Sequence, residues 1–189
     1  GYAVMPIRQL WFTPNIHSAL LWQAQRAHPL EACGILAGSV TGAQAQVQQI
    51  IPIPNIAADP TLSYRLDDAE LSRAADALHH AGYEIVAFYH SHPNGEPVPS
   101  RADVLLAAHR HIPTVIVSQR GGIPVSAAWM IADGEAEPID AVIADVRPSA
   151  PPSFSAAHKL TALTALLLSA LLVLITALTL LPPAPEIPR

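Results

Sequence analysis

His90 and His92, two residues apart, and Asp103, eleven positions further on, are residues whose types and spacing suit metal chemistry. The stretch reads HSHPNGEPVPSRAD and follows Glu84-Ile85-Val86-Ala87-Phe88-Tyr89, an apolar and aromatic run of strand length. If the strand stays extended through the motif, residues two apart point to the same side, so both imidazoles face one point. Asp103 would return at the start of the next helix. Two imidazoles and one carboxylate suit Zn²⁺, whose catalytic sites take three protein ligands and leave a fourth position to water. Each piece also has a plainer reading. Histidines at a strand end are often surface residues, and Ser100 with Asp103 forms S-x-x-D ahead of Val104-Leu105-Leu106-Ala107-Ala108, a helix-capping pattern. Capping and metal binding are compatible, because a cap fixes the first helical turn and would hold Asp103 in place.

Glu31-Ala32-Cys33-Gly34, taken with His90-Ser91-His92-Pro93, Ser100 and Asp103, resembles the JAMM (MPN+) zinc metalloprotease family, whose pattern is a distant upstream Glu, then H-x-H-P, then Ser and Asp. The resemblance covers roughly residues 7 to 147 and is nearest to the short bacterial members. It implies a cytidine-deaminase-like α/β fold, with Zn²⁺ held by His90, His92 and Asp103 and water as fourth ligand. It further implies that Glu31 takes a proton from that water and delivers it to the leaving amine, while Ser100 stabilises the tetrahedral oxyanion. The reaction would be peptide or isopeptide hydrolysis without a covalent intermediate. The substrate it implies is the bond after the C-terminal tail of a ubiquitin-like or sulfur-carrier-type protein, in precursor processing or deconjugation. Such a tail could add as a strand beside the site. The short chain between Asp103 and Thr114 leaves no room for the large insertions of linkage-specific eukaryotic members. Without the downstream motif, Glu31 would read as a surface carboxylate at a helix-to-strand junction. Two other classes carry the same fold: a metal-free MPN binding or scaffold module, and a RadC-like, DNA-associated protein.

Composition weighs against the last of these. The 189 residues carry a formal net charge of −5 and no basic run, so nucleic acid is not an expected partner. Lys159 is the only lysine beside nine arginines, and Cys33 is the only cysteine, which excludes an intrachain disulfide. Cys33 reads as a small buried hydrophobe, with no local His to activate it. No basic segment followed by an uninterrupted apolar run opens the chain, so no secretory leader is expected.

The elements that must position these groups follow from periodicity and punctuation. Ile7 to Phe12 reads as a strand, Thr13-Pro14 opens a helix ending at His28-Pro29, and Cys33 to Gly38 reads as a buried strand. A turn at Thr41-Gly42 leads into a strand from Gln44 to Ile53, and Ser63 to Leu66 reads as another short strand. Asp67 caps a helix with Glu70 at the capping-box position, stopped by Gly82. Arg101 to Arg110 is expected as a helix, followed by strands at Thr114 to Ser118, Val125 to Ala132 and Ile139 to Val146. His109-Arg110-His111, a second H-x-H, falls at a helix end where residues two apart diverge, and reads as surface, as does His79-His80. The sum is a curved mixed β-sheet flanked by helices, over residues 1–147.

Beyond it the composition changes. Residues 148–159 form a Pro- and Ser-rich linker, 160–181 an uncharged run, and 182–189 a short tail. As a helix, Leu160 to Leu181 would extend about 33 Å against a hydrocarbon core of about 30 Å. The expectation is a transmembrane helix in contact with membrane lipid, giving a single-pass, C-terminally anchored protein with its catalytic domain in the cytoplasm.

Overall fold

Among the described residues up to 149, short apolar runs separated by tight turns build seven strands and three helices. The structure, a computed structural model, describes residues 6–107 and 111–149 and, beyond them, residues 164, 168–171, 173 and 176. In chain order these are β1 (Gln9–Phe12), α1 (Pro14–Ala27), β2 (Cys33–Thr41), β3 (Gln44–Pro52), α2 (Asp68–His80), β4 (Glu84–His92), α3 (Arg101–Leu106), β5 (Thr114–Ser118), β6 (Val125–Ala132) and β7 (Glu135–Ile143). The strands lie in the order β1-β3-β2-β4-β5-β6-β7, and β7 pairs back onto β1. The expected curved mixed sheet is therefore present but closed into a barrel. Parallel pairing at β1–β3, β1–β7 and β4–β5 alternates with antiparallel hairpins.

Alternation along the strands divides the core. Leu10, Phe12, Leu36, Val47, Tyr89, Val115 and Val117 form one cluster with Leu20 and Ala24 of α1. Ile35, Ala37 and Phe88 face the other way and form a second cluster with Leu78 of α2. A bulge in β2 marks where the ladders shift: pairing with β3 slips between Ala37 and Gly38, and pairing with β4 between Leu36 and Ala37. Gly38 is required there, since a Cβ would stand 1.7 Å from the Gln46 carbonyl oxygen.

Four element expectations are corrected. Ser63 to Leu66 forms no strand, only an isolated bridge between Asn55 and Leu66, because the Asn55 side chain takes the backbone bonds a partner strand would supply. Glu70 does not complete a capping box: Asp67 accepts from the Ala69 and Glu70 amides, and the Glu70 carboxylate pairs with Arg73. The third helix ends at Leu106, with Ala107 non-helical at its C-cap; 108–110 lie outside the described residues, and with them most of the second H-x-H. The last strand begins at Glu135, because the turn at Asp133-Gly134 pairs Ala132 directly with Glu135.

A second compact unit comprises Pro152–Arg189. Its described residues, 164, 168–171, 173 and 176, are helical. Among the described residues no helix is long and apolar enough to cross a membrane, which corrects the expected single-pass, C-terminally anchored location; the helix expected over 160–181 falls mostly outside those residues. The rest of 160–181, the linker after Ser149 and the tail at 182–189 lie outside the described residues.

Candidate active site

β4 remains extended to its last residue, so alternate positions 88, 90 and 92 face one side, away from the cluster that takes Tyr89. It is paired on both flanks. Cys33 of β2 lies opposite His90, and Ile116 and Ser118 of β5 lie opposite His90 and His92. Continuing the β2 register by two residues places Glu31 across from His92. Ser91, the residue between the histidines, makes that continuation: its amide donates to the Ala32 carbonyl at 2.9 Å, and its Oγ accepts the Ala32 amide at 2.8 Å. The spacer of H-x-H thus fixes the segment carrying Glu31, a role that the sequence pattern does not reveal.

Asp103 arrives from the other side as the third residue of α3. Ser100 caps the helix: its Oγ accepts the Asp103 amide at 3.2 Å, and its own amide donates to Asp103 Oδ2 at 2.6 Å. The capping reading of the pair therefore holds in geometry, and the capped carboxylate also meets the histidines. Asp103 Oδ1 is 3.3 Å from His90 Nε2, Oδ2 is 3.5 Å from His92 Nε2, and the two Nε2 atoms are 3.1 Å apart. These three side chains could hold a metal ion. Their donor set suits zinc, and so does the triangle, because ligands at about 2.0–2.1 Å in a tetrahedron stand roughly 3.3 Å from one another.

Electrostatics follow from burial and from the carboxylate at the centre. Burial alone would raise the Asp103 carboxyl, but hydrogen bonds with His90, His92 and Ser100 hold it well below the usual carboxylate range. Complete burial lowers His90 and keeps it neutral, the form that can ligate. Burial works to lower His92 as well, but hydrogen bonds with Asp103 and with the Glu96 carbonyl 2.8 Å from its Nδ1 outweigh it and raise it. Glu31 is 8 % exposed, and burial pushes its carboxyl up to about 7, with His92 working against the rise and Asp103 adding to it. Cys33 is buried, its Sγ donates to the Ile53 carbonyl, and burial pushes its thiol up to about 12. That is the environment of a structural cysteine, as the sequence suggests.

The site opens into a cleft of about 590 Å³, with Glu31, His92, Ser100 and Asp103 at one end and Leu62, Leu66, Leu71, Phe88, Ile112 and Ile131 along its walls. The motif loop is pinned over it. Ser118 Oγ donates to the Gly95 carbonyl at 2.6 Å, Trp129 Nε1 donates to the Pro97 carbonyl at 2.8 Å, and Arg120 pairs with Glu96. Gly95 lies against the His92 side chain, where a Cβ would come within 3.3 Å of the histidine Cβ and 3.4 Å of its Nδ1. Sequence reasoning missed Tyr64 and Asn55. Tyr64 stacks on His90, with ring centroids 4.2 Å apart, and Asn55 donates to the Glu31 carbonyl at 3.0 Å. Neither belongs to a spaced motif; a tyrosine in a loop rich in Pro and Asp carries no sign of the partner it meets.

Two imidazoles at the end of β4, the carboxylate of Asp103 in the first turn of α3 and that of Glu31 just before β2 thus meet at one end of a mixed sheet. Residues 13–132 match the model of the prokaryotic homologs of the JAB domain, and the chain belongs to that family. It is 43% identical over 75 residues to a desampylase of Haloferax volcanii, covering 40% of this chain and 52% of that protein. It is 40% identical over 106 residues to the CysO-cysteine peptidase of Mycobacterium tuberculosis, covering 56% and 70%. To a probable TtuB-protein conjugate cleaving protease of Thermus thermophilus it is 36% identical over 106 residues, covering 53% and 68%. These relatives bear the names of peptidases, in line with a hydrolase; about half of the desampylase's length is matched.

Proposed function

We propose that this protein is a zinc-dependent peptidase or isopeptidase that hydrolyses the bond following the C-terminal tail of a ubiquitin-like or sulfur-carrier-type protein. The observation that carries the reading is the convergence of His90, His92 and Asp103 with Glu31 one ladder step away. His90 and His92 through Nε2, with Asp103, would hold the ion; bound zinc supplies Lewis acidity to the scissile carbonyl and brings the pKa of water towards about 7. Glu31 accepts the proton of the attacking water on its carboxylate and returns it to the nitrogen of the leaving amine. A carboxyl near 7 is suited to both directions of that transfer at neutral pH. Ser100 Oγ already accepts the Asp103 amide, so its hydroxyl proton is available to donate to the developing oxyanion. The backbone bonds through Ser91 and Asn55 keep Glu31 in register with His92.

The substrate tail lies along the apolar cleft. Both flanks of β4 are taken, by β2 and by β5 from Phe88 to His92, and the sheet is closed. Strand addition at β4 beside the site therefore has no free flank to use, and apolar side chains of an extended tail seat against Leu62, Leu66 and Phe88 instead. The names of the relatives, a desampylase, a CysO-cysteine peptidase and a protein-conjugate protease, support this substrate class.

The test is zinc content together with cleavage of a ubiquitin-like protein extended at its C-terminus, for wild type and Glu31→Gln. The expected result is near-stoichiometric zinc in both and cleavage by wild type alone. Absence of zinc after reconstitution would overturn the reading.

A further inference from the structure

A metal-ligating imidazole is usually oriented by a hydrogen bond from its second nitrogen to a carbonyl or carboxylate, which fixes the ring plane. His92 follows that rule through its Nδ1 and the Glu96 carbonyl. His90 does not: its Nδ1 is buried and has no hydrogen-bond partner. What meets the His90 ring is Tyr64, stacked at 4.2 Å with an interplanar angle of 18°. The residues on either side of Tyr64 are bonded by one side chain. Asn55 Nδ2 donates to the carbonyls of Glu31 and Ser63, each at 3.0 Å, and its Oδ1 accepts the amides of Ala57 and Arg65, each at 3.0 Å. Ser63 and Arg65 flank Tyr64, so Asn55 brackets the tyrosine and ties it to the backbone of Glu31.

We propose that Tyr64 is a positioning residue for His90, its stacked ring replacing the hydrogen bond that holds the other histidine. This rests on the reading of His90 as a metal ligand. With Nδ1 unbonded, no hydrogen bond on that side of the ring opposes rotation about its outer torsion, and each rotation carries Nε2 away from Asp103 and His92. An aromatic face lying on the ring removes that freedom. The stacking face is what matters, so phenylalanine can serve in place of tyrosine and an aliphatic residue cannot.

The experiment measures Zn²⁺ affinity of the metal-free 189-residue chain by competition with a chromophoric chelator. It is paired with the visible d–d spectrum of the Co²⁺ form, which reports ligand geometry independently of hydrolysis. Tyr64→Phe should bind as wild type does. Tyr64→Leu should weaken binding roughly ten- to hundredfold, as loss of ligand support generally does, and shift the Co²⁺ bands. Tyr64→Met, unbranched, substitutes for the leucine variant if that one does not fold. His90→Ala is the control for the underlying reading. If it loses stoichiometric binding while Tyr64→Leu or Tyr64→Met binds within twofold of wild type, the positioning role is overturned and the metal site stands. If Tyr64→Phe weakens binding as much as leucine does, the hydroxyl acts rather than the face, and the proposal is overturned. If His90→Ala binds as wild type does, His90 is no ligand and both readings fall together.

Discussion

At the scale of single residues, Glu31 is the group whose charge state the fold disturbs in a testable way. Its folded carboxyl titrates at about 7 against an ordinary 4.5, chiefly through burial, so folding favours the protonated form. The resulting stability is fully present below pH 4.5 and is lost as pH rises through 7. The thermal midpoint of metal-free wild type should therefore fall across that window more steeply than that of Glu31→Gln; parallel curves in a thermal melt series would contradict the assignment. Ser100 caps α3, and one substitution separates that duty from the proposed one at the oxyanion. Ser100→Ala removes a helix cap, costing about 1 kcal/mol by denaturant titration. If the hydroxyl also serves the oxyanion, kcat should fall by about 10²- to 10³-fold with zinc stoichiometry unchanged. A variant with the stability loss and normal kcat would leave Ser100 as a cap alone.

At the scale of elements, what was legible and what was not divides along local versus distant pairing. β4 was evident from its apolar run and α2 from Asp67 and its periodic alanines and leucines, because those signals are contained in the segment itself. The convergence of His90, His92 and Asp103 was legible because strand alternation and a capped first turn are also local rules. Tyr64 and Asn55 were not, since their partners, His90 and Glu31, are met only after the loop folds back. The reading of Ser63 to Leu66 as a strand failed for a related reason: a side-chain amide satisfied the backbone groups that suggested a ladder. The β2 bulge offers a sharp test of element geometry. Gly38→Ala would drive a Cβ into the Gln46 carbonyl and should cost about 3 kcal/mol or more, read as a lowered denaturation midpoint or loss of folded protein. Gly42→Ala, at a turn with φ of 62° and open space around it, should cost only about 1 kcal/mol.

At the scale of the molecule, the pairing of β1 with β7 brings together segments more than a hundred residues apart, Gln9 with Asp140 and Phe12 with Ile143. Four-residue β1 also binds β3 along its whole length, so one of the shortest strands completes the ring. Nothing near either segment announces this, which is why an open, curved sheet was the natural expectation. Ring closure has a kinetic meaning. An open sheet frays inward from its two outermost strands, and amides there exchange with solvent long before those at its centre. This sheet has no outermost strand to shed, so releasing any one of the seven requires breaking hydrogen bonds on both of its sides. In deuterated solvent, amides of β1 should persist about as long as those of β4, and their rates should fall together as denaturant is reduced. Rapid loss of protection at β1 alone would mean that the ring opens there first, like a clasp.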